Sequence, residues 1–258
     1  MMEPSLRIGH LYPNEMNLYG DRGNLLAFSW RARLRGIEIE LDRLLPGDPI
    51  ARGRYDFFFF GGGQDAEQER IHDDFLSLKG ESLARELDDG AACLAVCGGY
   101  QLLGKQYLAY GGKRISGLGW LDLQTEAGSS RAIGNILIES ELDGRKVELV
   151  GFENHGGQTF LGRGVKPLGR VVAGFGNNGQ DGTEGAVVKS VVGTYLHGPL
   201  LPKNPALTDW LLARSLARRY PEYQLAPAAS QFEEAAFAEA RREILAQKGL
   251  RPGQFARA

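Results

Sequence analysis

The stretch Ala92 to Leu103, A-C-L-A-V-C-G-G-Y-Q-L-L, constrains this chain more than any other. Ala92 to Val96 is short, apolar and preceded by Gly90, which suits a strand buried in a parallel sheet. Gly98 and Gly99 allow a sharp turn and close backbone approach, and Tyr100 to Leu103 opens an apolar helical pattern. Cys97 therefore falls where a strand meets a helix N-terminus. Backbone N–H groups and the helix dipole there favour a thiolate, and the same N–H groups can receive an oxyanion. The pattern matches a G-x-S-x-G elbow in which cysteine replaces serine and alanine replaces the first glycine. A small, inert core cysteine satisfies the same string, so the rest of the chain has to decide between the two.

Upstream, Leu6 to Leu11 reads as a strand and is followed by a polar, glycine-containing loop, Tyr12 to Gly23, placed for a site. Asn24 to Arg35 reads as a helix burying Leu26, Ala27, Trp30 and Leu34 and capped by Gly36. Ile37 to Leu41 alternates like a strand near a sheet edge. Tyr55 to Phe60 is a dense aromatic strand that runs into Gly61-Gly62-Gly63-Gln64-Asp65, where the backbone must approach something closely. No G-K-[ST] follows, so this is not a P-loop. Glu67 to Asp89 reads as a helix, with Ile71, Phe75, Leu78, Leu83 and Leu87 apolar and a break near Gly80. This order predicts an α/β fold with a mostly parallel central sheet flanked by helices.

After Gly104 the strands expected are Gly117 to Leu123, Ala132 to Glu139, Val147 to Phe152, Gly169 to Ala173, Ala186 to Lys189 and Val191 to Tyr195. The Gly174 to Gly182 tract is a loop. These strands are expected to continue the same sheet and add antiparallel members. Asn204 to Arg219 reads as a helix and Pro221 to Pro227 as a linker. Ser230 and Glu233 form a capping box for a last helix that Gly249 closes. The division expected is one domain over 1–220 and a linker with helical extension over 221–258, whose helix packs on its own domain or faces another subunit.

Composition narrows the partners. A net charge of −2 over 258 residues leaves no electrostatic footprint for nucleic acid or anionic membrane. The two cysteines, Cys93 and Cys97, fall on one extended strand and cannot bridge each other, which favours a reducing, cytoplasmic setting. Met1 to Tyr12 lacks a signal-peptide pattern, and no segment reaches the roughly 18 apolar residues that span a bilayer. The spacing of Cys93 and Cys97 is not a metal pattern. A reactive Cys97 needs a base, and the chain has four histidines. His10 lies in the first strand and His72 on a charged helix face. His197 follows an apolar strand and precedes Gly198-Pro199, so it is held by the strand and presented at its end. His155, in G-F-E-N-H-G-G, either shapes the pocket or is a turn residue.

Five segments together carry a resemblance: G-G-G-Q-D at Gly61, A-V-C-G-G-Y-Q at Ala95, R-A-I-G-N at Arg131, G-F-E-N-H-G-G at Gly151 and G-T-Y-L-H-G-P-L-L-P-K-N-P at Gly193. Over Leu6 to Leu216 the chain resembles the class I glutamine amidotransferases of the cobyric-acid-synthase-like branch. The opening H-L-Y-P-N-E-M-N-L-Y-G-D-R-G-N and the N-N-G-Q-D-G-T-E-G loop resemble the glutaminase subunits of lipid II isoglutaminyl synthases. The resemblance implies the class I amidotransferase fold. It makes Cys97 the nucleophile toward the glutamine side-chain amide, with His197 as the proton carrier. It implies an oxyanion hole from Gly98 and Gly62, Gln101 near the substrate, and Arg131 holding the glutamine carboxylate. It implies no cofactor in this chain, with ATP and magnesium on a Mur-ligase-like, MurT-type partner. That partner would amidate D-glutamate of lipid II to D-isoglutamine in peptidoglycan synthesis. Two alternatives stay open: a glutaminase serving another synthetase, such as a cobyrinate-type amidation, and a non-catalytic binding scaffold of the same fold.

The wider class often places a glutamate two residues after this histidine, where the chain has Pro199. The expectation is that His197 is oriented by a local backbone group or by an acid donated from the partner, the latter keeping the glutaminase slow until the partner docks.

Overall fold

The computed structural model describes residues 4–248. Its first half alternates strand and helix: β1 (Ser5–Leu11), α1 (Arg22–Arg33), β2 (Glu38–Leu44), β3 (Phe57–Phe60), α2 (Asp65–Asp74), a π-helical turn over Phe75–Gly80, α3 (Glu81–Asp88), β4 (Ala92–Val96) and α4 (Gly98–Leu103). Six strands then build a second sheet: β5 (Gln106–Leu108), β6 (Arg114–Ser116), β7 (Leu123–Leu142), β8 (Arg145–Leu161), β9 (Gly169–Ala173) and β10 (Thr183–Glu184). The chain returns to the first sheet with β11 (Ala186–Val188) and β12 (Val191–Thr194), and ends in α5 (Pro205–Arg219) and α6 (Gln231–Gln247).

The first sheet has the order β11-β12-β4-β3-β1-β2. Its pairs are parallel except that β11 runs antiparallel to β12. The central strands β3 and β4 are buried at every residue, the burial expected of strands covered by helices on both faces. The predicted α/β class with a parallel core and added antiparallel strands therefore stands, and β2 is the edge. The second half corrects two expectations. It forms a separate antiparallel-rich sheet around the long β7–β8 ribbon and does not simply extend the first. Gly117 to Asp122 is the connection into β7, because glycines and the close packing of Gly117 on the Gly104 carbonyl leave no ladder there.

The buried face of α1 is also not the predicted one. Leu25, Phe28 and Ala32 point into the core, with Phe28 stacked on Phe57 at 4.4 Å, while Leu26, Trp30 and Leu34 are exposed. Hydropathy favours the wrong stripe because the inward one also carries Asn24 and Arg31, both of which are buried. Arg31 is satisfied in place: Nε and Nη2 donate to the two carboxylate oxygens of Asp209 at 2.7 and 2.6 Å, and Nη1 donates to Glu233 at 3.2 Å. Glu233 thus pairs with Arg31 instead of closing a capping box, and the Ser230 hydroxyl accepts from Arg31 Nη2 without capping α6. A reciprocal cap occurs at the start of α2, where Gln64 N–H donates to Glu67. Gly249 lies outside the described residues.

Of the two roles open to the last helix, the structure shows packing on its own chain. Ile244 and Leu245 bury against Leu137, Val150 and Ala173 of the ribbon and β9, and Arg241 makes a double hydrogen bond with Glu148. Together with Arg31, α6 joins the second sheet to the helical layer of the first. Among the described residues no helix is long and apolar enough to cross a membrane. Replacing Arg31 with alanine takes this partner from Glu233 beside a buried void, while Asp209 keeps Arg35. Arg31→Ala is expected to lower unfolding stability by about 3 kcal/mol in urea titrations and to open 231–247 to limited proteolysis.

Candidate active site

The elbow is built by steric exclusion. Cys97 holds φ 50° and ψ −107°, a conformation that costs a non-glycine residue on the order of 1–3 kcal/mol and persists only where its surroundings enforce it. Its N–H donates to the Thr194 carbonyl of β12 at 2.9 Å, which ties the nucleophile to the strand that delivers the histidine. A Cβ on Gly98 would lie 2.6 Å from the Gly63 carbonyl oxygen, and one on Gly99 2.6 Å from that of Phe60, so α4 can start here only with glycine at both positions. Cys93, four residues earlier, is fully buried, and burial pushes its thiol well above the ordinary range. It is the inert core cysteine of the pair.

His197 lies beyond the end of β12, and its backbone pairs with Phe152 of β8 through two hydrogen bonds of 2.8 and 3.1 Å. On one side the imidazole faces Cys97, whose side chain favours the protonated ring. On the other side, Nδ1 of His197 meets Oδ1 of Asp21 at 3.2 Å, both groups being fully buried. Burial works against charge on the imidazole, but the hydrogen bonds and charges of Asp21 and Cys97 outweigh it and lift the pKa to about 10. The orienting acid missing after His197 therefore comes from this same chain. Asp21 thus holds the Nδ1 side of His197, a same-chain acid that the sequence reading did not single out.

Asp21 belongs to the polar loop after β1, and its neighbours explain the D-R-G-N string. Gly23 packs against Pro199, where an added Cβ would lie 2.5 Å from the proline ring. Asn24 Oδ1 accepts from the Leu201 N–H at 2.8 Å. The sequence flags this loop as placed for a site, but 176 residues separate Asp21 from His197, and no local spacing marks the pair.

The second oxygen of Asp21 alters the expected oxyanion hole. Gly62 N–H donates to Asp21 Oδ2 at 2.7 Å, so it is committed to the carboxylate. A Cβ on Gly62 would touch Asp21, His197 and Cys97 at 3.1 to 3.4 Å, which explains the glycine by space. Among the described residues, the N–H groups of Gly98 and Gly63 have no protein acceptor, and these two backbones abut. The backbone donors left beside Cys97 are thus Gly98 and Gly63, while Gly62, read from the sequence as a donor, is bonded to Asp21.

Cys97 opens into a cavity of about 540 Å³. Gln101 lines it, its Nε2 donating to Tyr195 OH at 3.1 Å and its Oε1 accepting from Gln68 at 2.7 Å. Tyr195 OH continues to Thr159 and from there to Thr125 through two contacts of 2.7 Å, so four buried side chains hold Gln101 in one orientation. His155 also lines the cavity. It lies in β8 and not in a turn, with its ring stacked 3.7 Å from Tyr195 and its Nδ1 2.7 Å from the Gly157 carbonyl oxygen. Arg131 reaches the cavity from an irregularity in β7 between Ala127 and Ala132, where its guanidinium donates to the side chain and carbonyl of Asn154. His10 is a buried strand histidine, held neutral by burial with its pKa lowered to about 4. His72 is half-buried and bonded to the Ser116 carbonyl, not freely solvated.

This arrangement suits attack by a thiolate whose partner is an imidazolium, with a proton ready for a leaving amine. In Asp21→Asn, the amide can still accept from Gly62 but presents the wrong group to His197. The rate of thiol-dependent hydrolysis is expected to fall by about 10²- to 10⁴-fold. Because Asp21 raises the His197 pKa, the alkaline limb of the pH–rate profile should move to lower pH in that variant. A profile that keeps its wild-type limb would show that Asp21 does not act on His197.

Residues 7–205 match the model of the CobB/CobQ-like glutamine amidotransferase domain. The GatD subunit of the glutamine-hydrolysing lipid II isoglutaminyl synthase of Staphylococcus aureus is 42% identical over 214 residues, 83% of this chain and 86% of that protein. The GatD subunit from Streptococcus pneumoniae is 44% identical over 216 residues, 83% of this chain and 82% of its own length. Among solved structures, PurLQS from Thermotoga maritima superposes with a TM-score of 0.54 at 15% identity, covering 83% of this chain and 98% of that one, a likeness of fold. The chain belongs to the CobB/CobQ-like glutamine amidotransferase family, in the branch of the GatD subunits.

Proposed function

We propose that this chain is the glutaminase subunit of a two-subunit enzyme that amidates lipid II. The observation that carries the reading is the Cys97–His197–Asp21 line, whose Cys97 opens into a cavity also lined by Gln101 and Arg131. The Cys97 thiolate attacks the side-chain amide carbon of glutamine, and the oxyanion is received by backbone N–H groups at Gly98 and Gly63. His197 gives its proton to the nitrogen, ammonia leaves, and a glutamyl thioester remains. Neutral His197 then takes a proton from water as the water attacks the thioester, and glutamate leaves as the thiolate returns. Arg131, already positioned by Asn154, receives the substrate carboxylate through the bidentate geometry of a guanidinium.

The ammonia is used by a Mur-ligase-like, MurT-type subunit. That partner supplies the ATP and magnesium chemistry that activates the D-glutamate carboxylate, so the product is D-isoglutamine. Such a pair works in the cytoplasm, where ATP is available. The test is an assay of ammonia release and of lipid II amidation, with and without the ligase subunit, for wild type and Cys97→Ala. Amidation from glutamine should require both chains, and Cys97→Ala should lose glutaminase activity by at least about 10⁴-fold while amidation from added ammonia survives. Full ammonia release by Cys97→Ala would overturn the catalytic reading, and amidation of a different substrate class by the co-purifying synthetase would overturn the lipid II assignment.

A further inference from the structure

The G-G-G-Q-D segment contributes its glycines to the nucleophile's surroundings, and its last residue has no role in the chemistry above. Asp65 is the first residue of α2 and lines the cavity that contains Cys97. Among the described residues lining that cavity it is the one carboxylate, and Arg131 is the one guanidinium. Tyr107 lines the same cavity, and its hydroxyl donates to Asp65 Oδ2 at 3.4 Å. Anion, cation and nucleophile thus surround one space.

Gln68 supplies an independent observation. It lies one turn after Asp65 on the same helix, and residues three apart share a helix face. It also lines the cavity. Its Nε2 is used on Gln101 and on the Gly63 carbonyl, whereas its Oε1 is buried with no donor among the described residues. A buried acceptor without a donor is unfavourable unless a ligand completes it. A primary ammonium carries three N–H donors and a positive charge, which answers both the Asp65 carboxylate and the Gln68 oxygen.

We infer that Asp65, assisted by Gln68, forms the subsite for the α-ammonium of the amino-acid substrate, opposite Arg131 at its carboxylate. This rests on the glutaminase reading and extends it: the cavity selects a free zwitterionic amino acid, and rejects both glutamine within a peptide and carboxamides that lack the amine. Asp65 is a binding residue here, separate from the Cys97 chemistry.

Asp65 also sits in the first turn of α2, where any carboxylate favours the helix dipole, so a fall in activity alone would prove nothing. The test compares L-glutamine with glutaramic acid, the same molecule without its amine, on the full-length wild type and on Asp65→Asn and Gln68→Leu. The wild type should favour glutamine strongly in kcat/KM. In Asp65→Asn the ratio of the two kcat/KM values should fall by about 10- to 100-fold, as expected when a charge-assisted hydrogen bond is removed. The change should fall on KM for glutamine more than on kcat. Gln68→Leu should reduce the ratio by a smaller factor. If both substrates lose equally and the ratio keeps its wild-type value, Asp65 acts only on the fold and the subsite is wrong. Absence of ammonia release from glutamine by the wild type would instead defeat the glutaminase reading itself.

Discussion

Two oxygens of one buried carboxylate hold the catalytic end of this molecule together. Asp21 accepts from Gly62 N–H with one and meets His197 with the other, so the loop after β1, the turn after β3 and the segment after β12 share one anchor. Burial makes this anchor effective. A carboxylate excluded from water must be matched by donors, and the two it has are the imidazole and a backbone N–H. Moving any one of the three segments would leave a buried charge without its partners. The same contact raises the proton affinity of His197 against the effect of burial, which suits a residue that gives a proton to departing ammonia.

Around that anchor the parallel sheet acts as a positioning frame. The chain leaves β1, β3, β4 and β12 at the same end of the sheet, where the carboxyl ends of parallel strands open a crevice. The Cys97 N–H bond to Thr194 keeps nucleophile and histidine in register, and the Phe152 pairing holds His197 from the second sheet. The N-N-G-Q-D-G-T-E-G loop serves the same end. Glu184 accepts from the Thr194 hydroxyl and the Tyr195 N–H, and Asn177 holds Tyr100 and Gly185. Burial raises the Glu184 carboxyl to about 7, and these donors work against the rise. The loop is thus a support beneath the strand that carries Tyr195 and His197.

The second sheet furnishes the substrate side. Its β7–β8 ribbon carries Arg131, Asn154 and His155, and α6 fastens the far end of that ribbon through Ile244, Leu245 and Arg241. The division of labour follows from the two architectures. A buried parallel sheet fixes reactive groups to within small tolerances, whereas an antiparallel ribbon with a break between Ala127 and Ala132 can direct a long side chain over the cavity.

The elbow, the parallel α/β frame and the pairing of Cys97 with His197 are all written in local pattern. An apolar strand ending in Cys-Gly-Gly has few backbone solutions, and a histidine at a strand end before Gly-Pro has few directions to point. The capping of α6 and the inward face of α1 depart from the local pattern because a polar side chain finds a distant partner that hydropathy does not reveal, and the second sheet stands apart from the first where the sequence suggests one continuous sheet. Arg31 is buried only because Asp209 and Glu233 wait for it. Asp21 shows the limit most clearly. Its type and its polar loop are legible in the sequence, but its meeting with His197 and its capture of the Gly62 N–H exist only once β1, β3 and β12 stand side by side. Local sequence determines which conformations each segment can adopt, and tertiary packing decides which buried charges find which donors.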